Sequence, residues 1–249
     1  MEKNKLFIIP VVILLCVAAV VYYNRYTFYQ FLPAQLDDNY STVNGIMMNG
    51  KDQIPFTGRL KTDLGNRIEI YSYKDGKLDG LNVAYQNGKI KEIGHWKDGM
   101  QNGVFKLYTE KGILVDEATF KNEKRDGITK QYYDDTGNIK VEVYYSEGVL
   151  NWLAKEYYQN KKLYREIIYS YGKREGLTKE YYENGKTKIE MYYELDVPNG
   201  SYKMYDINGQ IQLEGRFENG EFVPESNEEI SIEEIRNEWF IWFFLNFLI

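Results

Sequence analysis

The residues of this chain best suited to chemistry are tyrosines that recur at one position of a repeated segment. A tyrosine offers a rigid aromatic ring for contact and a hydroxyl that both donates and accepts hydrogen bonds. We therefore take this tyrosine column as the candidate binding surface, with structural stacking between neighbouring rings as the alternative. The column consists of Tyr85, Tyr108, Tyr132, Tyr157, Tyr181 and Tyr205.

A second aromatic column recurs later in each repeat. Further tyrosines follow some members of the first column and are predicted to point to the opposite face of a strand, so both faces are expected to be rich in aromatic side chains. The second column consists of Trp96, Phe120, Tyr145, Tyr169, Tyr193 and Phe217, and the further tyrosines are Tyr133, Tyr158 and Tyr182.

The sequence predicts no catalytic, metal-binding or cofactor-binding site. His95 is the only histidine, Cys16 the only cysteine, and serine is scarce, so the sequence shows no Ser-His or Cys-His constellation. The acidic pairs Glu228–Glu229 and Glu233–Glu234 are adjacent in sequence, so the two side chains of each pair diverge. We therefore predict that the protein is not an enzyme and carries no cofactor.

The tyrosines lie in units whose opening positions, glycine in all but one, are 22 to 25 residues apart. Each unit carries Asn-Gly or Asp-Gly dipeptides, in mid-unit as at Asn87–Gly88 and at the junction as at Asp79–Gly80. These dipeptides supply the two positive φ angles of a type I′ turn, so a unit is predicted to be one β-hairpin. The units open at Gly58, Gly80, Gly103, Gly127, Trp152, Gly176 and Gly200.

Alternation of apolar and polar residues supports the strand prediction. Thr187, Ile189, Met191 and Tyr193 share one face of a predicted strand, while the intervening Lys188, Glu190 and Tyr192 share the other. A period of two residues indicates one packed and one solvated face. The lysines and glutamates of the solvated face are expected to form cross-strand charge pairs.

The repeat resembles the bacterial variant of the MORN (membrane occupation and recognition nexus) repeat, in the class called YwqK-type antitoxin-like. The segments that carry the resemblance include YYENGKTKIEMYYELDVPNG from Tyr181 and YDINGQIQLEGRFENG from Tyr205. The resemblance covers Thr57 to about Val223. It implies an all-β fold, an elongated single-sheet antiparallel meander of about seven MORN-type β-hairpin repeats.

The chain departs from the repeat pattern at two positions. Trp152 stands where a unit should open with glycine, and at Gly172 the turn residues shift. Both positions lie in the same stretch of the array.

The net charge and the N-terminal segment indicate which partners and which location to expect. A net charge of −6 argues against nucleic acid as a partner, since a binder needs a basic stripe. Leu6 to Tyr23 carries no charge and, as a helix, would rise about 27 Å, close to the hydrocarbon core of a bilayer. Lys3 and Lys5 precede this segment, which favours a cytoplasmic N-terminus. We expect an uncleaved signal anchor, with a cleaved signal peptide or a lipid on Cys16 as alternatives.

The C-terminal end combines an acidic linker with an apolar tail. Ser231 and Glu234 form a capping box, which predicts a short helix from that point. The apolar residues 239–249 would reach only about 17 Å as a helix, too short to span a membrane. The tail could cap the last hairpin or cover the sheet, contact a membrane interface, or have no selected role.

The predicted organisation has a transmembrane helix at 1–25, a linker and cap at 26–45, the repeat domain at 46–223 and the tail at 224–249. The predicted function is a non-enzymatic, membrane-anchored binding or scaffold protein at the inner or plasma membrane. It would present the repeats in the periplasm or outside the cell to a protein or cell-surface polymer, and would be secreted if the N-terminal segment is cleaved. The alternatives are an antitoxin-like protein that neutralises a protein toxin by direct binding, as the resemblance implies, and direct lipid binding, which the acidic charge disfavours.

Overall fold

The structure is a computed structural model that describes residues 35–36, 40–50 and 52–225. The regular elements in these ranges are all strands. The helices predicted within 1–25 and from Ser231 lie outside the described residues. In the described ranges, no helix is long and apolar enough to cross a membrane.

The strands follow one another closely along the chain. The first half contains β1 Gln35–Leu36, β2 Tyr40–Val43, β3 Ile46–Asn49, β4 Gly58–Asp63, β5 Arg67–Lys74, β6 Lys77–Leu78, β7 Gly80–Gln86, β8 Lys89–Lys97, β9 Met100–Gln101, β10 Gly103–Tyr108 and β11 Leu114–Lys121. The second half contains β12 Lys124–Tyr132, β13 Ile139–Ser146, β14 Val149–Tyr157, β15 Leu163–Ser170, β16 Lys173–Arg174, β17 Gly176–Tyr181, β18 Thr187–Glu194, β19 Val197–Tyr205, β20 Ile211–Glu218 and β21 Glu221–Pro224.

The strands from β4 to β21 form an antiparallel meander within a 19-stranded sheet. Consecutive strands pair with each other, and the short strands β6, β9 and β16 begin the strands continued by β7, β10 and β17. β1 adds to β4 in parallel, while β2 and β3 form a separate hairpin. The all-β antiparallel meander predicted from the repeat is therefore confirmed for the described residues.

The hairpin turns at one edge of the sheet are type I′, but they do not lie at the predicted junctions. Both central residues of each turn have positive φ, as at Asp75–Gly76 with φ of 49° and 75°. The predicted junction Asp79–Gly80 comes after this turn, and Gly80 already pairs with Trp96 inside the sheet. The assignment of the junction dipeptides to turns was therefore wrong. The turns lie at Asp75–Gly76, Asp98–Gly99, Asn122–Glu123, Glu147–Gly148, Tyr171–Gly172, Leu195–Asp196 and Asn219–Gly220.

The turns at the other edge differ in geometry, as two of them show. Asn87–Gly88 has φ of 51° and 74°, as the type I′ prediction requires. At Asn184–Gly185 only the glycine has a positive φ, of 89°, and the Gly185 N–H donates to the Tyr182 carbonyl at 2.8 Å. This is a type I turn followed by one left-handed residue, the next commonest hairpin loop.

The junction glycines lie in bulges, where the backbone has a positive φ and runs close to the preceding strand. Gly200 has φ of 112°, and a Cβ built on it would lie 3.0 Å from the Cβ of Tyr192. Gly103 has the same φ, and its Cβ would lie 3.0 Å from that of His95. Glycine is favoured because both the backbone angle and the close approach disfavour a side chain.

Burial follows the predicted alternation in the last repeats. In β18, Ile189, Met191 and Tyr193 are buried, whereas Tyr192 and Glu194 are exposed. These buried residues form one core cluster with Tyr202, Leu213 and Phe217 of β19 and β20. A second cluster near the start of the sheet contains Ile70, Val83, Tyr85 and Ile93.

Candidate binding surface

One face of the sheet carries an unbroken row of alternating lysine and glutamate from β10 to β20. Each member lies directly opposite the next in the strand register, so the row crosses the strands at right angles. We call this row the charge ladder and the side of the sheet that carries it the ladder face. The ladder runs Lys106, Glu117, Lys130, Glu142, Lys155, Glu166, Lys179, Glu190, Lys203 and Glu214.

Within each hairpin, the ladder lysine and glutamate form an ion pair. The Lys179 Nζ lies 2.8 Å from Glu190 Oε1, and the Lys106 Nζ lies 3.0 Å from Glu117 Oε1. The hydrogen bond from Lys179 holds the pKa of Glu190 below its usual value. All these side chains are partly exposed, so each pair contributes less than about 1 kcal/mol. The expected cross-strand charge pairing is thus present.

The ladder begins at β10 because the preceding strands carry aliphatic residues in the same row. Ile93 lies opposite Lys106, Val83 opposite Ile93, and Ile70 opposite Val83. These three side chains are at most 3% exposed. The row therefore changes from a buried apolar core to a partly exposed charged surface.

The predicted tyrosine column lies beside the ladder on the same face. Tyr181 donates its hydroxyl to Glu166 at 2.8 Å, and Tyr205 donates to Glu190 at 3.2 Å. Tyr132 makes the equivalent bond to Glu117 at 3.0 Å. Burial together with the nearby Glu166 carboxylate raises the pKa of Tyr181 to about 12. These hydroxyls hold ladder glutamates in place, and the three tyrosines remain partly exposed.

The other members of the column have different surroundings. Tyr85 is 1% exposed within the core cluster, and Tyr108 packs against that cluster. Tyr157 is partly buried, and its backbone carbonyl accepts a hydrogen bond from Tyr133 at 2.7 Å. The column therefore offers surface contacts only from Tyr108 onward.

A second ladder of tyrosines links successive repeats through backbone hydrogen bonds. The hydroxyls of Tyr133, Tyr158 and Tyr182 donate to the carbonyls of Tyr157, Tyr181 and Tyr205, each at 2.7 Å. Each bond spans 23 or 24 residues, one repeat. The sequence showed the recurrence of these tyrosines, but their bonds to the next repeat follow only from the register.

An apolar row runs along the ladder face on the opposite side of the ladder from the tyrosine column. Its members pair across strands, as Leu153 does with Ile168. Ile128, Leu153, Ile168 and Tyr192 are between 42% and 49% exposed, an unusual exposure for adjacent large apolar side chains. The apolar row consists of Ile128, Tyr144, Leu153, Ile168, Leu177 and Tyr192.

Trp152 adds an exposed indole to the apolar row. It takes the position of a junction glycine and keeps a positive φ of 67°. In that position the side chain points toward the preceding strand, where it stacks on Tyr144 with centroids 4.6 Å apart and planes at 14°. The indole is 62% exposed. The missing glycine was visible in the sequence, but the solvent-facing stack was not predicted.

The opposite face of the same strands carries a buried ion cluster. Arg165 donates to both carboxylate oxygens of Glu156 at 2.8 and 2.9 Å, and its Nη1 lies 3.6 Å from Glu180 Oε1. The Glu180 side chain is only 2% exposed. Burial alone would lower the pKa of Arg165, but the Glu156 and Glu180 charges outweigh burial and raise it. The cluster is part of the interior and faces away from the ladder.

The described residues contain no group of three or more His, Cys, Asp or Glu side chains placed to hold a metal ion. His95 lies in β8, and its Nδ1 forms a hydrogen bond with the Val104 carbonyl at 2.9 Å. The histidine is thus a strand residue that bonds to the neighbouring strand β10.

Comparison with known proteins supports the repeat assignment. Among solved structures, the crystal structure of TarM is similar with 15% identity and a TM-score of 0.27, over 42% of this chain and 20% of TarM. The chain thus spans about a fifth of TarM, and this likeness carries no argument about function. No curated protein matches the chain. Residues 101–122, 125–147 and 174–195 match the family model described as MORN repeat variant, so three repeats of this sheet are of that type.

Proposed function

We propose that this protein is a non-enzymatic, membrane-anchored scaffold that binds a protein or cell-surface polymer on its ladder face. The observation that carries the proposal is the exposed Trp152–Tyr144 stack beside the apolar row. Aromatic anchors surrounded by apolar and charged contacts dominate the binding energy of protein interfaces. A surface used only for solubility would not concentrate such side chains on one face.

The repeat architecture supports a broad binding surface. Neighbouring strands lie about 4.8 Å apart, so equivalent residues of successive two-stranded hairpins recur about every 10 Å and one face presents continuous rows of side chains. The unit with the exposed indole falls between matched segments 125–147 and 174–195. It keeps the backbone of the repeat in β14 and β15 while changing the surface. This combination favours a binding role for that unit.

The proposed anchor rests on the uncharged segment from Leu6 to Tyr23. The positive-inside rule then places the repeats outside the cytoplasm. Protease added to intact cells, or to cells with only the outer envelope opened, should degrade the repeats. Degradation that requires rupture of the inner membrane would reject this orientation and favour the antitoxin-like alternative.

Site-specific photocross-linking in cells tests the binding surface. A benzophenone amino acid would replace Leu153 or Ile168 in the full-length chain, with Leu64 as the control. Leu64 is 62% exposed but lies between β4 and β5, outside the charge ladder. We expect a discrete cross-linked product from Leu153 and Ile168 and none from Leu64. Equal products from all three positions, or none from any, would contradict the proposal.

A further inference from the structure

The charge ladder is self-complementary about its own centre. It begins with Lys106 and ends with Glu214, so residues at equal distances from the centre carry opposite charges. The centre lies between Lys155 of β14 and Glu166 of β15. The symmetric pairs are Lys155 with Glu166, Glu142 with Lys179, Lys130 with Glu190, Glu117 with Lys203, and Lys106 with Glu214.

The apolar row is symmetric about the same centre. Leu153 of β14 and Ile168 of β15 flank the centre directly. The next members outward are Tyr144 and Leu177, and the outermost are Ile128 and Tyr192. Beyond them a small hydroxyl residue stands on each side, Thr119 in β11 and Ser201 in β19. From β11 to β19, charge and hydrophobicity therefore share one centre of symmetry, and the match ends at Val104 of β10 and Arg216 of β20.

We propose that the ladder face binds the ladder face of a second copy of this chain, about a two-fold axis that runs parallel to the strands between β14 and β15. The proposal rests on the proposed function, since it names the partner of the same surface. A two-fold contact uses the same patch on both molecules, so the patch must complement itself. This axis reverses the strand order while keeping each row opposite the same row of the copy.

The charges restrict the two molecules to alignments in which the axis lies between two strands, and only the axis between β14 and β15 pairs the whole ladder. In the symmetric alignment each ladder lysine faces a glutamate of the copy, such as Lys130 opposite Glu190 of the second copy. A shift that moves the axis by half a strand spacing, onto a strand, places lysine opposite lysine and glutamate opposite glutamate. Like charges brought together across an interface oppose binding, so the shifted alignment is disfavoured. The ladder thus supplies alignment, while the apolar row supplies the area removed from water.

The dimensions of the face fit a two-fold interface. The ladder crosses the strands from β10 to β20, about 43 Å at ~4.8 Å per strand. With the apolar row and the tyrosine column on either side, the patch is about 18 Å wide. Its area is close to the ~800 Å² that each partner buries in a standard interface. Two sheets packed face to face align within about 30°, so their twist is compatible with this contact.

Trp152 fits an open position in the same arrangement. The indole covers Tyr144, which faces Leu177 of the second copy. Gly176 precedes that leucine, and a Cβ built on it would meet only Ile168 Cδ1, at 3.7 Å. Gly176 of the second copy therefore leaves space for the indole that projects from the first molecule.

Charge reversal in the full-length chain tests the proposal by sedimentation in a mild detergent. Lys130→Glu alone should raise the dimer dissociation constant at least tenfold, because the new glutamate of each copy then faces Glu190 of the other copy. Glu190→Lys alone should weaken the dimer similarly by opposing two lysines. An equimolar mixture of the two variants should return to within about threefold of the unaltered chain, because both contacts again join opposite charges.

A mixture of Lys130→Glu with Glu166→Lys is the matched control and should stay weak, since these positions are not symmetry-related. Mixing cannot repair damage within a single chain, so recovery identifies a contact between copies. An unaltered chain that remains monomeric, or a Lys130→Glu and Glu190→Lys mixture that does not recover, would overturn the two-fold contact. If Leu153 then still cross-links to another protein in cells, only this inference fails. If it does not, the proposed function fails as well.

Discussion

The indole of Trp152 lies parallel to the ring of Tyr144, with centroids 4.6 Å apart. The stack exists because Trp152 occupies a position that the neighbouring repeats fill with glycine, and it does so with a left-handed φ of 67°. A non-glycine residue in that conformation costs about 1–2 kcal/mol. The strain is retained at an aromatic residue that is 62% exposed, which is the pattern expected of a binding residue.

Trp152→Gly separates folding from binding. Glycine relieves the backbone strain, while loss of the stack costs about 0.5–1.5 kcal/mol, so the free energy of unfolding should change by less than about 1 kcal/mol. Self-association should weaken at least tenfold. Urea unfolding and sedimentation of the same samples measure the two effects. A variant that unfolds readily but associates normally would assign the tryptophan a structural role.

Arg165→Met tests the buried ion cluster. Methionine fills a similar volume but leaves Glu180, whose side chain is 2% exposed, without the guanidinium charge. Removing one partner of a buried ion pair costs about 3–5 kcal/mol. Arg216→Met is the control, because the Arg216 and Glu218 side chains are 61% and 53% exposed, and it should cost less than about 0.5 kcal/mol. Equal urea midpoints for the two variants would contradict the burial of this cluster.

Gly200→Ala and Gly185→Ala distinguish the bulge from the turn. Both glycines have positive φ, but a Cβ on Gly200 would approach Tyr192 Cβ to 3.0 Å, whereas nothing lies within 4 Å of one on Gly185. We expect a loss of about 1 kcal/mol for Gly185→Ala from backbone strain alone. Gly200→Ala should lose about 3 kcal/mol, since steric overlap adds to the strain. Comparable thermal unfolding of the two variants would count against the bulge.

The ladder should make stability depend on acidic pH. Lys179 holds the pKa of Glu190 below its unfolded value, so the contribution of this glutamate is present above about pH 4.3. It is lost as the pH falls through the lower folded value. Lys179→Met should therefore flatten the decline in unfolding free energy between about pH 5 and 3. Lys173→Met, an exposed lysine in β16, should leave the profile unchanged. An unchanged profile in Lys179→Met would show that the pair has no energetic role.

The fold could be predicted because its signals are local. Period-two alternation in β18 and Asn87–Gly88 each report on a few adjacent residues, and the structure confirms both. The turn prediction failed at the junction dipeptides because Asn-Gly and Asp-Gly favour type I′ turns in any context. Glycine is needed at Gly103 for another reason, since a Cβ there would lie 3.0 Å from the Cβ of His95 in the preceding strand. That approach is a tertiary constraint which local sequence does not contain.

The binding surface could be predicted only in part. The tyrosine column was visible as a recurrence, but the bond from Tyr181 to Glu166 depends on strand register and bulges. Trp152 was visible only as a missing glycine. Its side chain is exposed because a Cβ at this junction position points toward Tyr144 on the preceding strand. Surface chemistry of this kind arises from cross-strand neighbours, which become known once the register is known.

Hydroxyl-radical footprinting of the full-length chain over a range of concentrations tests the role of the ladder face most directly. Trp152 and Leu64 are both 62% exposed in the single chain, which makes Leu64 a matched internal reference. We predict that the oxidation rate of Trp152 falls several-fold as the concentration rises through the dimer dissociation constant, while that of Leu64 stays constant. Rates that stay constant for both residues, or that fall equally, would contradict self-association through the ladder face.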